Sequence, residues 1–272
     1  MPVDTFRASY ECRLLTGAAA IGAAKRLQGA AYVRHGHLPA RALTEDGWLP
    51  WHDRVAADRV RWFGVHDEAG GLVAVAQKIT VDGRGLASLP AIALLDTSPA
   101  EGLGTSRPAD VASAARPAAA VPAAPAGAAG LVEQMGDLRS AGALSGLPEP
   151  VVEVSGAAKA PHAPLAATMH AYKAIYQDSR HRGDRAWVMS VIPELRTTLR
   201  RVAPGGITVG PHPLRISNLH PEVRPDVLAY PAWGLVHGFT ARIRAAADAE
   251  PDPARRHFLH ESADFLDDRN GG

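Results

Sequence analysis

The chain of 272 residues has one cysteine, Cys12, so no intramolecular disulfide and no cysteine-rich zinc site is available to it. It also lacks an excess of charge of either sign: 29 basic against 28 acidic residues leave +1 with neutral histidines. No whole-molecule field for gripping nucleic acid or an anionic membrane follows from that balance. No run approaches the roughly 18 consecutive apolar residues of a membrane-spanning helix. The opening Met1-Pro2-Val3-Asp4-Thr5-Phe6-Arg7 has no basic segment leading into an apolar one, so a cytoplasmic protein without integral membrane association is expected. Aromatic residues are scarce as well, and none occurs between Phe63 and Tyr172. Within that gap the 23 residues from Pro108 to Gly130 include 12 Ala, 4 Pro and 2 Gly. Such a stretch has few bulky side chains to bury and prolines that interrupt helices, which predicts a flexible insertion over 98–147.

What is present, with 46% hydrophobic residues, is enough for one large or two small domains. Tyr10 to Leu15 reads as a strand and Ala18 to Val33 as an Ala-rich helix, followed by a polar loop carrying both Trp48 and Trp51. Val60 to His66 and Leu72 to Val81 read as two strands around the turn Asp67-Glu68-Ala69-Gly70-Gly71. Beyond the insertion come a strand at Val151 to Ser155, a helix at Pro164 to Arg182 and a strand at Ala186 to Ile192. A helix with proline in its first turn at Pro193 to Val202 and a strand or hairpin at Ile207 to Ile216 complete the pattern. The tail from 231 to 272 reads as a helical extension. The class is mixed α/β.

Several familiar chemistries have no motif here. No Gly-x-Ser-x-Gly elbow, phosphate-binding Walker loop, dinucleotide fingerprint or His-Glu-x-x-His spacing occurs, and close pairs such as His35 and His37 arise readily among 12 histidines. No metal site and no permanently bound cofactor is therefore expected. Glu153 stands in a Val-rich strand, where burial would raise a carboxylate pKa toward the range useful to a general base; an ordinary strand glutamate paired with an arginine fits the same pattern.

Three segments carry a family resemblance: Gly71-Leu72-Val73-Ala74-Val75-Ala76-Gln77-Lys78-Ile79 followed by Leu89-Pro90, Val152-Glu153-Val154-Ser155-Gly156, and the helix, strand and Pro-Glu-Leu-Arg helix of 164–202. In this order they resemble the GNAT-fold N-acyltransferases, nearest to the branch of acyl-homoserine-lactone (autoinducer) synthases and long-chain N-acyl amino acid synthases. The resemblance implies one acyltransferase domain from 1–97 and 148–230, with a largely antiparallel central sheet flanked by helices. It implies transfer of an acyl group from acyl carrier protein (acyl-ACP) or acyl-CoA, as co-substrate, to the amine of an amino acid or similar metabolite by direct attack.

On that reading Glu153 is the catalytic base. Ser155, Lys159 and His162 meet the donor, and Arg34, Asp46, Trp48, Trp51, Asp53 and Gln77 meet the acceptor. Solvated lysine and loop-anchoring tryptophans are the plainer alternatives for Lys159, Trp48 and Trp51. Two basic clusters, Arg180-His181-Arg182 with Arg185, and Arg196 with Arg200 and Arg201, suit an acidic carrier protein or simply a solvated helix surface. Where autoinducer synthases have arginine, this chain has Gln77 and Gly156, which disfavours an S-adenosylmethionine acceptor. A noncatalytic thioester-binding module of the same fold is the competing reading.

Overall fold

The computed structural model describes residues 10–82, 85, 89–90, 147–210, 214–215, 222–224 and 227–268. Most of the segment 98–147 read as an insertion therefore lies outside the described residues. Among them, no helix is long and apolar enough to cross a membrane. The strands are β1 (Glu11–Leu15), β2 (Val60–His66), β3 (Leu72–Thr80), β4 (Val151–Lys159), β5 (Ala186–Val191), β6 (Thr208–Val209), β7 (Leu214–Arg215) and β8 (Leu228–Leu235). The helices are α1 (Ala18–Arg34), α2 (Leu165–Arg182), α3 (Pro193–Val202), α4 (Phe239–Asp248) and α5 (Pro253–Asp267). The sheet runs β1-β2-β3-β4-β5-β8-β6, antiparallel except for the parallel β4–β5 pair, and β7 also pairs with β8. This is the mixed, mostly antiparallel sheet that the family resemblance implies.

Local chemistry explains most of the elements. In the β2–β3 turn the Asp67 carboxylate accepts from the backbone N–H groups of Ala69 (3.1 Å) and Gly71 (2.8 Å), which closes the hairpin. Val73, Ala74, Val75 and Ala76 are buried in succession because β3 is covered on both faces. The main core lies between the sheet and α2, α4 and α5, where Val152, Ile175, Trp187, Phe239, Ile243 and Leu259 pack together. α5 begins with Asp252 capping the Ala254 N–H at 3.0 Å and with Pro253 in the first turn.

The segment read as a helical extension from 231 begins differently. Pro231 lies inside β8, opposite Ser190 of β5, and its carbonyl accepts from Gly210 N–H at 2.8 Å. Burial of Ala232, Trp233 and Gly234 in the sheet outweighs proline's poor fit to a strand, and helix starts only at Phe239.

One charged cluster fastens β3 to α2. Lys78, fully buried, places Nζ 2.5 Å from Asp178 and 2.6 Å from Asp184, while Arg61 reaches Asp178 at 2.8 Å. Burial works to raise the Asp178 pKa, but Lys78 and Arg61 together outweigh it and hold the carboxyl below its usual range. Because side chains alternate along β3, Gln77 emerges on the other face of the sheet.

Two irregularities of β4 shape that other face. Val75 pairs with Ala158 and Gln77 with Ser155, so Ala76 stands opposite both Gly156 and Ala157, a β-bulge. On its other edge β4 pairs with β5 from Val151 to Glu153 only, opposite Ala186 to Val188. β5 continues against β8 as far as Val191. Beyond Glu153 the two parallel strands therefore part, and a splay opens in the middle of the sheet.

Candidate active site at the strand splay

On the α1 side of the splay lies a polar cavity of about 110 Å³, walled by strand, helix and loop. β4 contributes Glu153, Ser155 and Gly156, β3 contributes Gln77, and β5 contributes Ser190. α1 adds Gln28 and Tyr32, one helical turn apart and hence on one face of the helix. Trp51, His52 and Val55 come from the loop after α1. That loop crosses α1 at Gly29, where a Cβ would overlap the carbonyl oxygen of Gly47. An Ala-rich helix with glycine at the crossing is thus what brings Trp51 and His52 over the sheet.

Polar groups in this cavity are closely interlocked. Glu153 is only 3% exposed. The Tyr32 phenol is pushed up to about 12, first by burial and then by the negative charge of Glu153. His52 is lowered to about 4, chiefly by burial and further by the Lys25 charge, with Asp53 opposing, so its ring is neutral at neutral pH. Its Nε2 meets Gln28 Oε1, and the ring stands edge-on to Trp62 with centroids 5.6 Å apart. Gln77 Nε2 donates to Ser155 Oγ at 3.0 Å. At the bulge, Gly156 has φ +65°, and a Cβ there would overlap the Gln28 amide nitrogen. Only glycine fits both the backbone and the space.

The structure brings together Glu153, Ser155, Gln77 and Trp51 of the residues singled out in the sequence. The others lie elsewhere. Arg34 donates to the Lys159 carbonyl at 2.8 Å, near the end of β4, and Lys159 Nζ donates to the Ala163 carbonyl at 2.5 Å. His162 and Asp46 are exposed and line no part of this cavity. Asp53 pairs with Lys25 at 2.9 Å, and the same ammonium sits 4.3 Å over the Trp48 ring, so Trp48 and Asp53 anchor the loop onto α1. In the basic clusters Arg182 pairs with Asp178 at 3.4 Å, and Arg196 lies 4.1 Å over the Tyr230 ring. Burial pushes the Cys12 thiol up to about 12, which leaves it unreactive.

Gln28, Tyr32 and His52 were not singled out in the sequence. The one available signal was a glutamine and a tyrosine four residues apart on an otherwise alanine-rich helix.

On the opposite face of the same splay is an apolar cavity of about 40 Å³. Val154 of β4 and Trp187 and Met189 of β5 form its floor, with Tyr172 of α2, Leu199 of α3 and Phe239 of α4 around it. Successive residues of β4 therefore face different chemistries: Glu153 and Ser155 the polar cavity, Val154 the apolar one.

No protein-family model and no curated protein matches the sequence. Among solved structures, the chain is similar to FeeM, an N-acyl amino acid synthase from uncultured soil microbes, at 14% identity and a TM-score of 0.52, over 86% of this chain and 94% of that one. A similarity to the AHL synthase LasI, at 10% identity and a TM-score of 0.48, covers 85% of this chain and 91% of that one. The fold of this chain, a mostly antiparallel sheet flanked by helices, is therefore like that of FeeM.

Proposed function

We propose that the protein is an N-acyltransferase that moves an acyl group from a thioester of acyl carrier protein or coenzyme A to the amine of a small acceptor. The observation that carries this reading is the splay itself, with a buried carboxylate in a polar cavity on one face and an apolar cavity on the other. A thioester lying in the splay has unpaired strand edges along which an amide-rich pantetheine arm can complete the ladder. Its acyl chain then enters the apolar cavity beside Val154 and Met189, and the carbonyl carbon faces the side of Glu153 and Ser155.

Glu153 takes a proton from the acceptor ammonium, directly or through water, freeing the lone pair. The nitrogen attacks the thioester carbon, and the C–N bond forms. Collapse of the tetrahedral intermediate breaks the C–S bond, and the second nitrogen proton leaves with the thiolate as thiol. No covalent enzyme intermediate is needed. Ser155, held by Gln77, is placed to hydrogen-bond the thioester or the pantetheine.

Glu153→Gln keeps the shape of the site and removes the base, so turnover should fall by about 10²-fold or more while thioester affinity stays within about twofold. Steady-state rates and calorimetric titration with the same acyl thioester measure both quantities. Unchanged turnover would remove Glu153 from the mechanism.

A further inference from the structure

β5 gives the apolar cavity two residues on one face of the strand. Met189 stands beside the splay, where β4 and β5 have parted, and Trp187 stands where they are still paired, opposite Val152. Two residues of strand separate such side chains by about 6.6 Å. The Trp187 end is closed by three buried rings. Trp187 meets Phe239 edge-on at 5.1 Å and Tyr176 at 5.8 Å between centroids, and Tyr176 and Phe239 lie 5.4 Å apart. Each ring is also held from outside the cluster. Trp187 Nε1 donates to the buried Ser179 Oγ at 3.0 Å, and Tyr176 Oη lies 3.5 Å from Thr240 Oγ1. The Phe239 ring lies against the backbone of Gly206, where an added Cβ would come within 2.7 Å of it. Rings packed in this way shift only at a cost to one another, so the wall resists a chain pressed against it.

We propose that Tyr176, Trp187 and Phe239 form the end wall of the acyl site, and that the donor is a short acyl thioester of about six carbons or fewer. The length of strand between splay and wall matches about five carbon–carbon steps of an extended chain beyond the carbonyl. A methylene within that length leaves water for apolar surface. One beyond it must push the rings out of their packing or stay in the splay. Phe239 is the specificity-determining residue of the three, because it comes from α4 and can be shortened without altering β5. The proposal rests on the acyl-transfer reading for the word donor, while the limit on chain length belongs to the cavity alone.

The test uses pantetheine thioesters in a series from butanoyl to dodecanoyl. Binding of each to the full chain is measured by calorimetry, and amide formation over a pool of amines and amino acids by mass spectrometry. Affinity should rise by about fourfold per methylene up to hexanoyl. Octanoyl should bind no more tightly than hexanoyl, and decanoyl and dodecanoyl at least about tenfold more weakly. Phe239→Leu keeps an apolar side chain in the wall and should raise the octanoyl-to-hexanoyl affinity ratio by about fourfold, and Phe239→Ala by about tenfold or more. Wild-type affinity that keeps rising through dodecanoyl would overturn the proposal, as would a length profile unmoved by Phe239→Leu. A limit at hexanoyl that moves with Phe239→Leu, without any amide product, would support the wall and instead overturn the acyl-transfer reading. No measurable binding of any of these thioesters would overturn both.

Discussion

The two faces of the splay are made by the same two strands and differ in almost every physical respect. On the α1 face, Glu153, Ser155 and Gln77 interlock with Gln28 and His52, which come from a helix and a loop. On the α2 face, Val154, Trp187 and Met189 meet only apolar or aromatic side chains around the cavity. A strand whose successive side chains alternate can serve two chemistries at once, and the bulge at Gly156 lies beside the polar cavity. On the proposed acyl-transfer reading, the difference means that acceptor selection and acyl-chain selection can be altered separately.

The strongest way to break the α1 face is at the bulge beside its cavity. Gly156→Ala forces a side chain into a left-handed backbone, at about 1–2 kcal/mol, and against the Gln28 amide. We expect loss of stability of at least that size in urea and a turnover deficit of tenfold or more. A variant with unchanged stability and rate would show that the bulge is not a constraint.

A substitution with a smaller effect on rate sharpens the comparison. Met189→Ala enlarges the apolar cavity, so each additional methylene that becomes buried should improve kcat/KM for longer acyl chains by about fourfold relative to wild type, the equivalent of roughly 0.8 kcal/mol. Its stability should fall by about 2–5 kcal/mol, and KM for the amine should not move. A changed amine KM with an unchanged chain-length profile would contradict the assignment of the faces.

The last test concerns pH and involves imidazoles on both sides of the sheet, because His170 on α2 is also lowered to about 4, by burial and then by the Lys173 charge. With folded values of about 4 against an ordinary 6.5, both imidazoles take up protons more readily when unfolded. Their contribution is neutral above about pH 6.5, and stability falls as pH drops from there toward 4. Replacing His52 and His170 together by glutamine should flatten that part of the stability profile in urea titrations. An unaltered slope would show that neither ring is held neutral.

How much of this was legible in the sequence follows from where each residue sits. Glu153, Ser155 and Gln77 could be found through the family resemblance of their strand segments, whereas alternation alone leaves Glu153 an ordinary strand glutamate. Gln28 and Tyr32 could not, because α1 is so rich in alanine and glycine that its apolar face barely differs from the rest. His52 depends on a long-range crossing at Gly29, which no local pattern announces. Trp48 and Asp53 had the composition expected of a binding loop but are engaged by Lys25. β8 was missed because the tail from 231 reads as helical, whereas Pro231 sits in the sheet with its carbonyl accepting from Gly210 N–H.

The most direct test of the central claim is product analysis by intact-mass and tandem spectrometry after the purified protein is incubated with acyl-carrier-protein and acyl-CoA thioesters and a mixed pool of amines and amino acids. The account predicts a new N-acyl amide, released thiol in equal amount, and loss of both with Glu153→Gln. Thioester binding without any amide, in the presence of the whole acceptor pool, would contradict it and leave a binding module that keeps the donor splay without the transfer.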